Sequence, residues 1–275
     1  MIGTRGLSQK KLFLLDMDGT IYLDNILFDK SLEFLEALKN SGGKYVFLTN
    51  NSSKSVQDYI VKLTHLGIHV DESNFLTSSQ ATSIYLTQYY KNKKIYVLGT
   101  ESFKKELEHN NIWVTDRYDQ AVNCLVVGFD TELTFNKLVD ACQLLNNGVD
   151  FIATNMDLVC PTSHGFIPDC GSICNMLATA TGRQPTFIGK PNPLMVELAI
   201  KNSDFSKDET IVLGDRLYTD IACGINAGVT TGVVLTGETK IGDLDNTNYK
   251  PDFVFENIKE VYNNLNFANP VFPLQ

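Results

Sequence analysis

LFLLDMDGT, residues 12–20, is an unbroken apolar run that stops at two aspartates, Asp16 and Asp18, followed at once by Gly-Thr. A short apolar segment with polar flanks reads as a strand buried on both faces of a sheet. Parallel sheets place their ligands at the carboxyl ends of such strands. Two carboxylates at i and i+2 repel each other unless a cation lies between them or one keeps its proton. The stretch therefore asks for a hard metal ion, and for further ligands from elsewhere in the chain.

Outward from this strand, short apolar runs alternate with helix-period segments, the pattern of an α/β sheet protein. Spacing predicts a helix over 31–40 closed by Ser41-Gly42-Gly43, a strand over 44–51, a helix over 56–66 stopping at Gly67, and a strand at 75–77. A second series begins near Ser79, with helices predicted around 82–90, 103–108, 135–145 and 172–180. Its strands are predicted at 94–99, 123–129 and 150–154, and residues 155–168 read as a polar loop rich in Gly and Pro. From Thr186 the first pattern resumes: a strand ending at Ile188, a helix over 193–201, a strand over 210–215, a helix over 218–227, and strands at 229–235 and 252–255.

Composition narrows the function classes. Hydrophobic content of 43% and charged content of 20% are those of a globular chain of 275 residues, long enough for a full core plus an inserted module. A net charge of −9 speaks against sequence-independent nucleic-acid binding, which needs a basic surface. The apolar stretch behind the basic start lasts only from Leu12 to Leu15, too short for a signal-peptide core or a membrane span. A cytoplasmic location is expected, with Cys124, Cys142, Cys160, Cys170, Cys174 and Cys223 reduced.

Four predicted strand ends carry polar residues: Asp16 and Asp18; Thr49 and Asn50; Gly189-Lys190-Pro191; and Gly214-Asp215, with Asp220 on the next turn. Carboxylates, a hydroxyl and a cation on strand termini suit phosphoryl transfer, which needs a nucleophile, a metal, cationic neutralisation and a proton donor. In order, DMDGT, LTNN, GKPNP and GDRLYTD resemble the four motifs of the haloacid dehalogenase (HAD) superfamily of aspartyl-phosphate phosphatases. ATNMD, at 153–157, extends the similarity to the NagD-like or p-nitrophenylphosphatase branch. The resemblance implies a Rossmann-like parallel α/β core, residues 1–78 plus 185–275, with an inserted α/β cap of the C2 type at 79–184. Spacing agrees: one helix and one strand separate Asp16 from Thr49, whereas Thr49 and Lys190 are separated by far more chain than a crossover requires.

By this resemblance Asp16 is the nucleophile and Asp18 the general acid and base. Mg2+ is the expected ion, held by the carboxylates of Asp16 and Asp215 and the backbone carbonyl of Asp18. Asp220 is expected to stand behind these ligands, holding a metal-bound water or Lys190. Lys190 neutralises charge on Asp16 and the phosphate, while the Thr49 hydroxyl and the Asn50 backbone N–H bind phosphate oxygens. Asn51 to Ser53 are read as capping the following helix.

The resemblance also implies that the cap loop hangs over the catalytic aspartates, with Asn155, Met156 and Asp157 meeting the leaving group. Cys160, His164, Cys170 and Cys174 lack the tight C-x2-C spacing of structural zinc sites, and an α/β cap needs no metal to build its core. The expected activity is hydrolysis of a small phosphomonoester such as a sugar phosphate or nucleotide. Neither nucleic acid nor membrane is an expected partner, and a homodimer through the cap is. Asp18 argues against a dehalogenase, which lacks the second aspartate. A phosphomutase, or a non-catalytic module that binds a phospholigand or accepts phosphate on Asp16, is the alternative.

Overall fold

The computed structural model describes residues 4–162 and 165–265. After β1 (Leu12–Leu15) comes a small hairpin, β2 (Tyr22–Leu23) and β3 (Ile26–Leu27), then α1 (Ser31–Asn40), β4 (Lys44–Thr49), α2 (Val56–His65) and β5 (Phe75–Thr77). The middle of the chain forms α3 (Ser78–Tyr89), β6 (Lys94–Leu98), α4 (Glu101–His109), β7 (Trp113–Thr115), β8 (Val122–Val127), α5 (Phe135–Asn146) and β9 (Asp150–Ala153). It continues through β10 (Val159–Thr162), β11 (Gly165–Pro168), α6 (Cys170–Thr181) and β12 (Thr186–Phe187). The last part holds α7 (Leu194–Lys201), β13 (Thr210–Gly214), α8 (Ala222–Ala227), β14 (Thr230–Val234), β15 (Phe253–Phe255) and α9 (Ile258–Asn264).

Chain contacts divide the molecule into two units. The first comprises Met1–Leu48, Leu63–Asn74 and Val196–Gln275; the second comprises Thr49–Lys62 and Phe75–Met195. The segment 79–184 lies wholly inside the second unit.

In the first unit five parallel strands lie in the order β15-β14-β13-β1-β4. Central β1 is buried along its whole length, as its unbroken apolar run requires. It pairs in register with β13, from Leu12↔Thr210 to Leu15↔Leu213, and with β4, from Leu12↔Lys44 to Leu15↔Phe47. Helix α1 presents Phe34, Leu35 and Leu38 to the interior, and Phe13 meets Phe34 edge-on at 5.6 Å. Such contacts add roughly 0.5–1.5 kcal/mol to the burial itself.

The second unit has its own parallel sheet, in the order β12-β9-β8-β6-β7. Its core joins Leu125 and Val127 of β8 to Ala141, Leu144 and Leu145 of α5 and Ile173, Cys174 and Leu177 of α6.

Both helices α3 and α6 begin earlier than hydrophobic spacing predicts, because polar caps decide their starts. Thr77 and Gln80 form a capping box at α3, and the Asp169 side chain accepts from the Cys170 N–H at α6. Residues 155–168 are not the irregular loop expected. They include the antiparallel pair β10–β11, in register from Val159↔Pro168 to Thr162↔Gly165, whose exposed faces and prolines hide it from an apolar pattern. The hairpin β2–β3, the edge strand β7 and helix α9 likewise add to the predicted elements; the strands are too short for a period to register. Among the described residues no helix is long and apolar enough to cross a membrane.

Candidate active site

The carboxyl edge of the first unit's sheet gathers the aspartates. The Asp16 N–H donates to the Leu213 carbonyl at 2.9 Å, so the chain still follows β13 one residue beyond Leu15. Parallel register then brings Asp16 and Asp215 out at the same edge. The chain turns immediately: the Met17 carbonyl accepts from the N–H groups of Thr20 at 3.2 Å and Ile21 at 2.9 Å. Gly19 adopts φ 85°, and a Cβ there would lie 2.7 Å from Asp215 Oδ2. Only glycine meets both demands.

Asp215 is 3% exposed. Its Oδ2 accepts from the Glu238 N–H at 2.7 Å, its carbonyl accepts from the Thr239 N–H at 3.1 Å, and a Cβ on Gly237 would run into its carboxylate. The Thr236 hydroxyl donates to the Gly19 carbonyl at 2.5 Å, tying the loop after β14 to the turn after β1. Asp220, 1% exposed, sits on a single wide helical turn, Leu217–Ile221. Its Oδ2 accepts from the Arg216 N–H at 3.1 Å, and its side chain fills the space a Cβ on Gly214 would need.

One oxygen each from Asp16, Asp215 and Asp220 lies within 4.8 Å of the others. Three carboxylates this close, two of them buried, form a donor set for a hard cation with oxygen preference. Asp220, expected to act from behind the ligands, contributes an oxygen to the cluster itself. Asp18 is exposed, and its Oδ2 accepts from the hydroxyl of the buried Tyr22 at 3.3 Å.

Thr49, Asn50, Lys190 and the ATNMD segment belong to the second unit. Thr49 is buried, and its hydroxyl oxygen accepts from the Asn51 N–H at 3.2 Å. The Asn50 side chain closes on the main chain of Lys190 from both sides: Oδ1 accepts from the Lys190 N–H at 2.8 Å, and Nδ2 donates to the Lys190 carbonyl at 3.0 Å. Gly189 is needed for this approach, because a Cβ there would lie 2.5 Å from both Asn50 Oδ1 and the Thr154 carbonyl. Lys190 itself is buried.

Asn155 has no exposed surface and Asp157 is 5% exposed, whereas Met156 between them is 38% exposed. Asp157 Oδ2 accepts from Asn50 Nδ2 at 2.8 Å and from Asn155 Nδ2 at 2.9 Å. Two acid side chains of the unit are thus matched by donors, since Asp169 Oδ1 also accepts from Asn155 at 3.1 Å. Asn51 caps locally, accepting from Ser53, while Ser55 and Asp58 cap α2 reciprocally. Ser52 goes elsewhere: its hydroxyl pairs with Thr154 Oγ1 at 2.9 Å and accepts from the Phe129 N–H at 2.8 Å.

Cys160 packs against the second unit's core, and Cys170 and Cys174 are buried within it. A hydrogen bond with Cys170, and then burial, push the Cys174 thiol well above its ordinary range. His164 lies outside the described residues. The residues that motif reading passes over are Gly237 and Glu238, while Ser52 is read only as a cap. Gly237 and Glu238 come just after the predicted strand ending at Leu235, and Thr236-Gly237 is the same polar-glycine stop that marks other strand ends.

Comparison with known proteins identifies the family. Residues 13–112 match the family described as haloacid dehalogenase-like hydrolase, and residues 187–261 match the HAD-hydrolase-like family. The chain is 35% identical to the 5'-nucleotidase YutF of Bacillus subtilis, over 90% of this chain and 96% of that protein. It is 32% identical to an acid sugar phosphatase of Staphylococcus saprophyticus, over 93% of this chain and 98% of that protein. The crystal structure of 4-nitrophenylphosphatase from Thermotoga maritima superposes with a TM-score of 0.90 at 41% identity, covering 94% of this chain and 99% of that one. Motifs, parallel α/β architecture and relatives converge: the chain belongs to the haloacid dehalogenase-like hydrolases, beside the NagD and 4-nitrophenylphosphatase proteins.

Proposed function

We propose that this chain is a Mg2+-dependent phosphatase of small phosphomonoesters, working through an aspartyl phosphate on Asp16. The observation that carries this reading is the cluster of Asp16, Asp215 and Asp220 at the carboxyl edge of a parallel sheet, in a chain whose named relatives are phosphatases. An Asp16 oxygen attacks phosphorus and the ester P–O bond breaks. Asp18 gives its proton to the leaving alkoxide. Water then attacks the aspartyl phosphate, Asp18 takes the proton from that water, and inorganic phosphate departs as Asp16 is regenerated.

The carboxylates of Asp16 and Asp215 and the carbonyl of Asp18 would hold Mg2+, with Asp220 beside them. Mg2+ when bound supplies charge neutralisation on the phosphoryl oxygens. Lys190 adds a cation for the phosphate, and the Thr49 hydroxyl and Asn50 N–H donate to phosphate oxygens. Met156, the exposed member of its loop, contacts the leaving group, while Asn155 and Asp157 act from within the protein. The names of the relatives favour sugar phosphates and nucleotides as substrates.

None of the six cysteines forms a disulfide in the described residues, which fits a reducing compartment such as the cytoplasm. Exposed Leu158, Val159, Phe166, Ile167 and Met176 on the β10–β11 hairpin and α6 support a homodimer through this unit. The decisive assay is hydrolysis of p-nitrophenyl phosphate by purified protein. Turnover with Mg2+ that stops in EDTA supports the reading, and a panel of phosphomonoesters ranked by kcat/KM names the substrate. No release of phosphate from any ester would overturn it.

A further inference from the structure

A carboxylate as deeply buried as Asp157 is costly unless donors surround it. Asp157 has two amide donors on one oxygen, Asn50 at 2.8 Å and Asn155 at 2.9 Å. The loop carrying it is pinned independently. The Gly171 N–H donates to the Asp157 carbonyl at 2.8 Å, and the Asp169 N–H and Ser172 hydroxyl donate to the Leu158 carbonyl at 3.0 and 2.5 Å. Gly171 leaves no room for movement, since a Cβ there would run into the Met156 carbonyl. Asn155 is fixed from its other end by Thr154, whose hydroxyl donates to its Oδ1 at 2.8 Å.

The chemistry of the Asn50 amide makes this support matter. An asparagine side chain has a donor end and an acceptor end, and rotating it by half a turn exchanges them. In the observed orientation the acceptor end meets the Lys190 N–H and the donor end meets both the Lys190 carbonyl and Asp157. The reverse orientation would set NH2 against N–H at one end and carbonyl against carboxylate at the other. An ionised carboxylate only accepts. Asp157 therefore reinforces, from a third side, the one orientation in which Asn50 can clamp the Lys190 N–H and carbonyl.

We propose that Asp157 is a positioning residue for the phosphate-binding lysine: it orients the Asn50 amide, which in turn fixes the main chain of Lys190. This rests on the reading of Lys190 as the cation that binds phosphate. It differs from a leaving-group contact in what it makes the reaction depend on. A misplaced Lys190 weakens every substrate alike, whereas a lost leaving-group contact weakens some esters and spares others.

The test compares Asp157→Leu, Asp157→Asn and Lys190→Ala. Asp157→Leu should lower kcat/KM by a similar factor, about 10- to 100-fold, for p-nitrophenyl phosphate, glycerol phosphate and a nucleotide. It should raise the inhibition constant of inorganic phosphate, which has no leaving group, by at least a few-fold on the same positional argument. Asp157→Asn, which keeps an acceptor oxygen, should recover most of the loss. In the Lys190→Ala background Asp157→Leu should add little, the non-additivity expected of residues acting through one another. A loss confined to particular esters with phosphate inhibition unchanged would overturn the proposal.

Hydrogen exchange gives a readout that needs no turnover. In Asp157→Leu the Lys190 N–H should lose protection while the Gly171 N–H, bonded to the main chain of residue 157, keeps it. Unchanged protection at Lys190, or equal loss at both amides, would also overturn it. A wild-type protein without turnover would instead defeat the phosphatase reading, leaving the exchange experiment to judge the Asn50 clamp by itself.

Discussion

Two strand-end regions of this molecule handle buried charge in opposite ways. At the edge of the first unit's sheet, Asp16, Asp215 and Asp220 bring three like charges within 4.8 Å. In the second unit, Asp157 and Asp169 receive amide donors from Asn50 and Asn155, and Asp130 pairs with Lys137 at 2.8 Å. The second arrangement is complete as a scaffold. The first sets carboxylates beside one another, and a bound cation would lower the repulsion between them. The contrast separates residues built to meet a ligand from residues built to keep their neighbours still.

The harshest way to break this comparison is at the proposed nucleophile. Asp16→Asn should reduce turnover on the order of 10^4-fold or more with the fold retained, measured by phosphate release and circular dichroism. Asp18→Asn should act selectively, slowing alkyl phosphates by about 10^2- to 10^4-fold and p-nitrophenyl phosphate much less, because nitrophenolate leaves with little help from an acid. Equal losses on both ester types would remove Asp18 from the acid role.

Stability tests the repulsion directly. In EDTA, Asp215→Asn should raise the melting temperature by a few degrees, the shift about 1 kcal/mol produces in a chain of this size. With saturating Mg2+ the order should reverse, because the wild type gains binding free energy that the variant has lost. Thermal shift with and without metal reads both signs. A variant less stable than wild type in EDTA would show that the cluster is not under electrostatic strain.

The smallest effect belongs to an acid of the second unit whose desolvation no charge offsets. Burial pushes the Glu106 carboxyl up to about 7 from its ordinary 4.5. A folded value above the unfolded one favours the fold at low pH, and this contribution is lost as pH rises from about 4.5 through about 7. Glu106→Gln should therefore stabilise the protein at pH 8 by roughly 1 kcal/mol, a figure reduced for partial exposure, and leave it almost unchanged at pH 4. Urea denaturation at the two pH values measures the difference.

Much of the site is legible in sequence because its chemistry is carried by strand ends. An apolar run that stops at Asp16, and another that stops at Asp215, is a local signal, and parallel pairing brings the two stops to one edge. What escapes the pattern is polar and exposed. The β10–β11 hairpin reads as a loop because Val159, Phe166 and Ile167 are exposed and so leave no buried apolar stripe. Ser52 reads as part of a helix cap, yet its hydroxyl is spent on Phe129 and Thr154, far along the chain.

By itself, then, the sequence determined the parallel α/β architecture and the family, and it named the candidate residues for the chemistry, since hydrophobic period and motif spacing are properties of neighbouring residues. Tertiary structure alone decided which way those side chains turn. Asp220 reaches the carboxylate cluster because a wide helical turn folds it back on Gly214. Asp157 turns inward because Asn50 donates to its carboxylate, and Asn155 because its amide donates to Asp157 and Asp169, which leaves Met156 outside. The direction of a polar side chain is set by which partners the fold brings within about 3 Å, and spacing along the chain carries no record of that.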